Sequence, residues 1–128
     1  MGAAFFDSSA LVKLLRPEPE TEALRAWIDA ADAEHVASRI AVTEVTRAAR
    51  RARASPGPVL RSLHYVELTP GVLERAAQLD PPELRTLDAV HLASALVLGD
   101  VLEAFVCYDQ PLQEAAQACG LRVVAPRG

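Results

Sequence analysis

A chain of 128 residues, 51% of them hydrophobic, has the apolar mass for one core and is read as one domain over residues 1–128. Its net charge of −4, from 17 acidic and 13 basic side chains, argues against a protein held on nucleic acid by bulk electrostatics. That balance still permits an enzyme that meets phosphates through a local basic strip or a bound cation.

No apolar run approaches the roughly 18 residues of a membrane span. The N-terminus lacks the basic start and long apolar stretch of a signal peptide. Cys107 and Cys119 have neither zinc-ligand spacing nor a disulfide framework. These features predict a soluble, cytoplasmic protein with reduced thiols. Lys13 is the sole lysine, so every other fixed positive side chain is arginine, whose planar fork suits two-point contacts to phosphate or carboxylate.

The first predicted strand, Ala3-Ala4-Phe5-Phe6, stops abruptly at Asp7. Ser8 or Ser9 is the expected N-cap of a helix from Ala10 to Leu15, since a hydroxyl there satisfies an orphan N–H. Pro17 ends it. A second helix is predicted from Glu18 to Ala31, with early acids suited to the dipole and Leu24, Trp27 and Ile28 on one face. After a short strand at His35-Val36-Ala37, Ser38 is the expected cap of a third helix from Arg39 to Ala54. Its predicted buried stripe is Ala41, Val45, Ala48 and Ala52. Glu44 borders that stripe, and Arg47 and Arg51 follow on the same side. Ser55-Pro56-Gly57-Pro58 is a firm break.

Beyond it, Val59 to Leu63 reads as a short helix and His64 to Leu68 alternates like a strand. Thr69-Pro70 opens a helix that runs to Leu79, by a cap followed by proline at the first helical position. The stretch from Thr86 to Leu98 is the most apolar helix, with Gly99 as its stop. Only Asp88, His91 and Ser94 interrupt it, three apart, in one polar line. Ala104 to Tyr108 reads as a buried strand ending at Asp109, then a helix from Pro111 to Cys119 and a last strand at Arg122-Val123-Val124.

Short strands alternating with helices predict a three-layer α/β/α sandwich around a mainly parallel central sheet. Such sheets bind ligands at the carboxyl ends of their strands. Asp7 and Asp109 occupy that end, and Glu44 and Asp88 lie on helices that lean over the same edge. Four carboxylates drawn together repel unless a cation compensates. Oxygen donors suit Mg²⁺ or Mn²⁺, and such an ion activates water and neutralises charge on a phosphodiester. Acids without a histidine or cysteine ligand set therefore point to phosphodiester hydrolysis rather than zinc chemistry.

Each residue also has a plainer reading. Asp7 and Asp109 suit helix caps, Glu44 a half-exposed helix acid, and Asp88 a dipole partner. His91 reads as a buried, hydrogen-bonded histidine, and Trp27 and Cys107 as core residues. Arg47, Arg50, Arg51 and Arg53 suit either a solvated helix face or contacts to RNA or a protein partner.

Four stretches carry a resemblance: Asp7-Ser8-Ser9-Ala10-Leu11-Val12-Lys13-Leu14, Val42-Thr43-Glu44-Val45, Arg85-Thr86-Leu87-Asp88-Ala89-Val90-His91-Leu92-Ala93 and Tyr108-Asp109-Gln110-Pro111-Leu112. Together they resemble the PIN domain family, and within it the VapC-type toxins of bacterial toxin–antitoxin pairs. The resemblance implies a PIN-like fold and a Mg²⁺- or Mn²⁺-dependent endoribonuclease that leaves a 5′-phosphate and a 3′-hydroxyl. It implies that Asp7, Glu44, Asp88 and Asp109 are the catalytic, metal-binding quartet, with Asp7 and Asp88 as the firmest ligands. Ser9 matches the serine that helps hold the site, and Cys107 stands where the family usually has threonine or serine. A homodimer and a cognate antitoxin are implied as well. A PIN-shaped module that binds RNA or an antitoxin without turnover is the alternative. A phosphatase or phospho-acceptor domain fits less well, because Ser8 and Ser9 stand where its second acid belongs.

Overall fold

The structure is a computed structural model that describes residues 2–128. Five strands form the sheet: β1 (Gly2–Phe6), β2 (Ala33–Ser38), β3 (His64–Val66), β4 (Leu102–Val106) and β5 (Val123–Val124). They lie in the order β3-β2-β1-β4-β5, and every neighbouring pair is parallel. Seven α-helices connect them: α1 (Ser8–Val12), α2 (Thr21–Ala30), α3 (Ile40–Ala52), α4 (Gly57–Leu60), α5 (Pro70–Gln78), α6 (Thr86–Leu96) and α7 (Gln110–Ala118). No helix among the described residues is long and apolar enough to cross a membrane.

The two-residue period of β1 divides the core between the faces of the sheet. Ala4 and Phe6 pack with Ala10, Leu11, Leu24, Ala41, Val45 and Val59, from α1 to α4. Ala3 and Phe5 pack on the other face with Leu92, Ala95, Leu112 and Ala116, from α6 and α7. Phe5 also stacks on Phe105 of β4, with ring centroids 5.6 Å apart. A third cluster, Val72, Ala76, Ala89, Val90 and Ala93, joins α5 to α6. The expected three layers result, with a sheet that is parallel throughout.

Strand order reverses between β1 and β4, because the chain leaves β1 toward β2 and β3 and later returns on the other side. Such a switch point opens a crevice at the carboxyl ends of the two strands. Asp7 follows β1 directly, and Cys107-Tyr108-Asp109 follow β4. Asp7 N–H donates to the Val106 carbonyl at 3.2 Å, which closes the two strand ends together.

Several expected boundaries move for identifiable reasons. α1 begins at Ser8, since its N-cap is Asp7 itself, accepting from Ala10 N–H, rather than Ser8 or Ser9. Ser38 lies one residue before the cap of α3, Arg39, although its hydroxyl accepts weakly from Ile40 N–H at 3.3 Å. The fully buried line of α3 is Ala41, Val45 and Ala49; Ala48 and Ala52 are only partly covered. The buried positions recur every four residues, the spacing of one ridge on the helix surface. α6 stops at Leu96, where a single 3-10 turn at Gly99–Val101 redirects the chain. Thr69 caps α5 as expected, accepting from Val72 N–H at 3.2 Å.

Candidate active site

Asp7 is only 2% exposed, directly after the end of β1. Ser9 Oγ lies 2.7 and 2.9 Å from its two carboxylate oxygens, Ala10 N–H donates to Oδ1 at 3.1 Å, and Cys107 Sγ lies 3.3 Å from Oδ2. Burial raises the pKa of Asp7 above its ordinary value, and the hydrogen bonds from Ser9, Ala10 and Cys107 with the nearby His91 recover only part of that cost. Ser9 Oγ also accepts from Tyr108 N–H at 2.9 Å. One hydroxyl thereby ties the end of β1 to the segment after β4.

Glu44 projects from α3 into a small polar cluster. Ser8 Oγ donates to Glu44 Oε1 at 2.7 Å, and His91 Nε2 lies 2.5 Å from the same oxygen and 3.2 Å from Ser8 Oγ. The partners assign the proton to Nε2 of His91, because the hydroxyl hydrogen is already directed at the carboxylate. Nδ1 is buried without a partner. Burial would raise the Glu44 pKa, but the hydrogen bonds from His91 and Ser8 prevail and hold it below the usual range. Glu44 is accordingly a fixed anion.

Asp88, in the first turn of α6, and Asp109, the N-cap of α7, meet through Arg85. The guanidinium donates from Nε to Asp88 Oδ2 at 3.0 Å and from Nη2 to Asp109 Oδ1 at 3.2 Å. Asp109 Oδ2 accepts from Leu112 N–H at 3.0 Å. Capping and membership of the cluster are therefore compatible for both Asp7 and Asp109, because a carboxylate has two oxygens. Cys107 Sγ, 3.5 Å from the Asp109 carbonyl oxygen, links the Asp109 backbone to Asp7. Burial, aided by the Asp7 charge, pushes the Cys107 pKa well up, so the group stays a protonated thiol and a donor.

Among the described residues, no three histidine, cysteine or acidic side chains form a ready-made metal cluster. The acids are spaced by hydroxyls, by His91 and by Arg85. The donor set nonetheless fits a hard divalent cation: four carboxylates, one buried at a cost in charge and two already drawn to a cationic group.

Sequence reasoning left Ser8, His91 and Arg85 out of the site. The polar line Asp88-His91-Ser94 was the available signal for His91. Of that line, Ser94 turns back to the Val90 carbonyl at 2.8 Å and takes no part. Arg47 and Arg51 lie on exposed turns of α3 beyond Glu44, and with Arg50 they line a surface cavity of about 350 Å³. Trp27 packs edge-on to Phe6 with centroids 6.4 Å apart, a core contact.

A parallel sheet with acids placed after two adjacent strand ends defines an α/β class of protein, and comparison specifies it. The PIN domain model matches residues 4–116. Ribonuclease VapC46 of Mycobacterium tuberculosis (strain ATCC 25618 / H37Rv) is 41% identical over 130 residues, covering 98% of this chain and 99% of the relative. Ribonuclease VapC47 of Mycobacterium tuberculosis (strain CDC 1551 / Oshkosh) is 34% identical over 131 residues, with 95% and 96% covered. A structure described as a toxin-antitoxin complex from Klebsiella pneumoniae shares the fold, with a TM-score of 0.74 at 22% identity over 96% of this chain and 97% of that one. The chain belongs to the PIN domain family, in its VapC ribonuclease branch.

Proposed function

We propose that this protein is the endoribonuclease toxin of a VapC-type toxin–antitoxin pair, dependent on a divalent cation, Mg²⁺ or Mn²⁺. The observation that supports this reading is a set of hydrogen bonds near the ends of β1 and β4, in which Ser8 and His91 hold Glu44, Ser9 and Cys107 hold Asp7, and Arg85 bridges Asp88 and Asp109.

In this reading Asp7, Asp88 and Asp109 hold the cation, and Glu44 completes the quartet, directly or through water. When bound, such an ion would lower the pKa of a water and offset the charge that builds on the phosphodiester. Glu44, held anionic by Ser8 and His91, accepts a hydrogen bond from the attacking water and fixes its direction. The water oxygen bonds to phosphorus as the bond from phosphorus to the 3′-oxygen breaks. A 5′-phosphate and a 3′-hydroxyl result. Ser9 keeps Asp7 in place and joins the two strand ends that carry the site. Arg47 and Arg51 extend the same edge as contacts for RNA or the antitoxin. The protein acts as a homodimer, and a cognate antitoxin neutralises it.

The test is cleavage of defined single-stranded RNAs with Mg²⁺ or Mn²⁺, with the product ends mapped. Cleavage abolished by Asp7→Asn and by chelation is the expected result. An inert wild type that still bound RNA or antitoxin would favour a binding module instead.

A further inference from the structure

Arg85 is the N-cap of α6, yet its side chain makes no cap and reaches over the carboxyl edge instead. An arginine three residues before an aspartate is ordinarily a weak surface pair. Here the same guanidinium also reaches Asp109, 24 positions away on another helix, and bridges two acids of the site. The oxygens involved matter. Asp109 Oδ2 already accepts from Leu112 N–H, so Oδ1 is the oxygen the cap leaves free, and Arg85 takes it. Asp88 presents Oδ2 to the same group. An ion held by both acids would draw on the same oxygens and the same excess negative charge. The Arg85 side chain is 75% exposed, so it can leave without disturbing the core.

We infer that Arg85 is an internal counter-cation that competes with the divalent ion for Asp88 and Asp109. Arginine pairing relieves the repulsion between the two acids in the metal-free protein and weakens its affinity for the metal. Metal loading releases the guanidinium from both carboxylates. By linkage, whatever holds Arg85 on the acids disfavours the metal, and the metal disfavours that pairing equally. The inference rests on the metal-site reading above, but it concerns a residue outside the acidic quartet.

The experiment is Mn²⁺ binding to the whole protein without RNA, followed by calorimetry and by the paramagnetic signal of free Mn²⁺. Wild type, Arg85→Gln, Arg85→Lys and Asp88→Asn are compared. Two exposed ion pairs correspond to about a three- to tenfold gain in Mn²⁺ affinity for Arg85→Gln. Arg85→Lys, a point charge without the fork, should fall between that variant and wild type. In the wild type, titration with diamagnetic Mg²⁺ should shift the Nε–H resonance of Arg85 as its bond to Asp88 is lost. Thermal melts in chelator confirm that each variant is folded.

Unchanged or weaker Mn²⁺ binding by folded Arg85→Gln would overturn the inference while leaving the metal-site reading intact. A wild type that takes up no Mn²⁺, or uptake untouched by Asp88→Asn, would remove the metal-site reading and the competition with it. An Nε–H resonance that stays fixed through Mg²⁺ saturation would also overturn the competition.

Discussion

His91 and Glu44, 47 positions apart on α6 and α3, meet with Nε2 and Oε1 2.5 Å apart, and Ser8 completes the contact from α1. The contact joins helices from opposite faces of the sheet over its carboxyl edge. It fixes Glu44, which takes hydrogen bonds from Ser8 and His91 at one oxygen. His91→Leu keeps most of the buried volume but removes the donor. Partners of this kind typically contribute 10- to 100-fold to metal affinity or activity. The variant should lose about that much in kcat with little change in KM, measured on a short RNA with a melt as the folding control.

Asp7 gives a stability prediction with a definite sign. Its folded pKa is raised above the unfolded value of 3.8 by burial, so the folded state holds the proton more tightly than the unfolded one. The stability linked to that proton is fully present below the unfolded pKa and is lost as pH rises through the folded pKa. At neutral pH in chelator, Asp7→Asn should therefore melt higher than wild type, by about 3–6 °C if one kcal/mol is recovered. The difference should vanish in acid, where Asp7 carries its proton. Melts from neutral pH downward test this, and a gain that persists unchanged in acid would point to packing rather than charge.

Cys107 is fully buried and Cys119 is exposed. The native protein should react with a thiol reagent at Cys119 alone, and at both cysteines after unfolding. Cys107→Ser should keep the donor to Asp7 and hold activity within about twofold. Cys107→Ala removes the donor and should fall below it. Cleavage rates of the two variants, set beside their labelling stoichiometry, check the assignment.

Arg47 and Arg51 lie one helical turn apart on exposed positions of α3, about 6 Å along its axis. If both meet RNA phosphates, replacing both with alanine should reduce the salt slope of RNA binding by about 1.4, from about 0.7 per contact on single strands. Fluorescence anisotropy across a range of salt, on the Asp7→Asn background in chelator, measures the slope. An unchanged slope would return these arginines to an ordinary solvated face.

Ala49 is fully buried on α3, while Ala48 is partly covered. Ala49→Leu should cost about 1–3 kcal/mol by overpacking. Ala48→Leu should cost less. Denaturant melts of the two variants separate the observed stripe from the one expected by counting residues.

The elements themselves were legible in local signals. An apolar run ending at Asp7, a proline break at residues 55–58, Thr69-Pro70 and a nearly all-apolar α6 each carry their own physical cause. The alternation of strands and helices then leaves few arrangements other than a parallel sheet, and that places strand-end acids on one edge. The four acids could be named because Asp7 and Asp109 close apolar strands, Asp88 interrupts an apolar helix, Glu44 borders a buried stripe, and their surroundings resemble a family pattern.

Tertiary structure alone decided what holds those acids. Whether Ser8 caps a helix or donates to Glu44 depends on α3 arriving from 36 residues away. Which of Ala48 and Ala49 is buried depends on a packing angle that a helical period cannot supply. Arg85 is the clearest case. In sequence it is a charged residue before an apolar helix, with a weak local partner three residues on. The fold brings α7 beside α6, sets Asp109 Oδ1 3.2 Å from its guanidinium, and turns a local pair into a bridge across the site. Chain chemistry supplied the charges, and the crossover at the switch point supplied their neighbours.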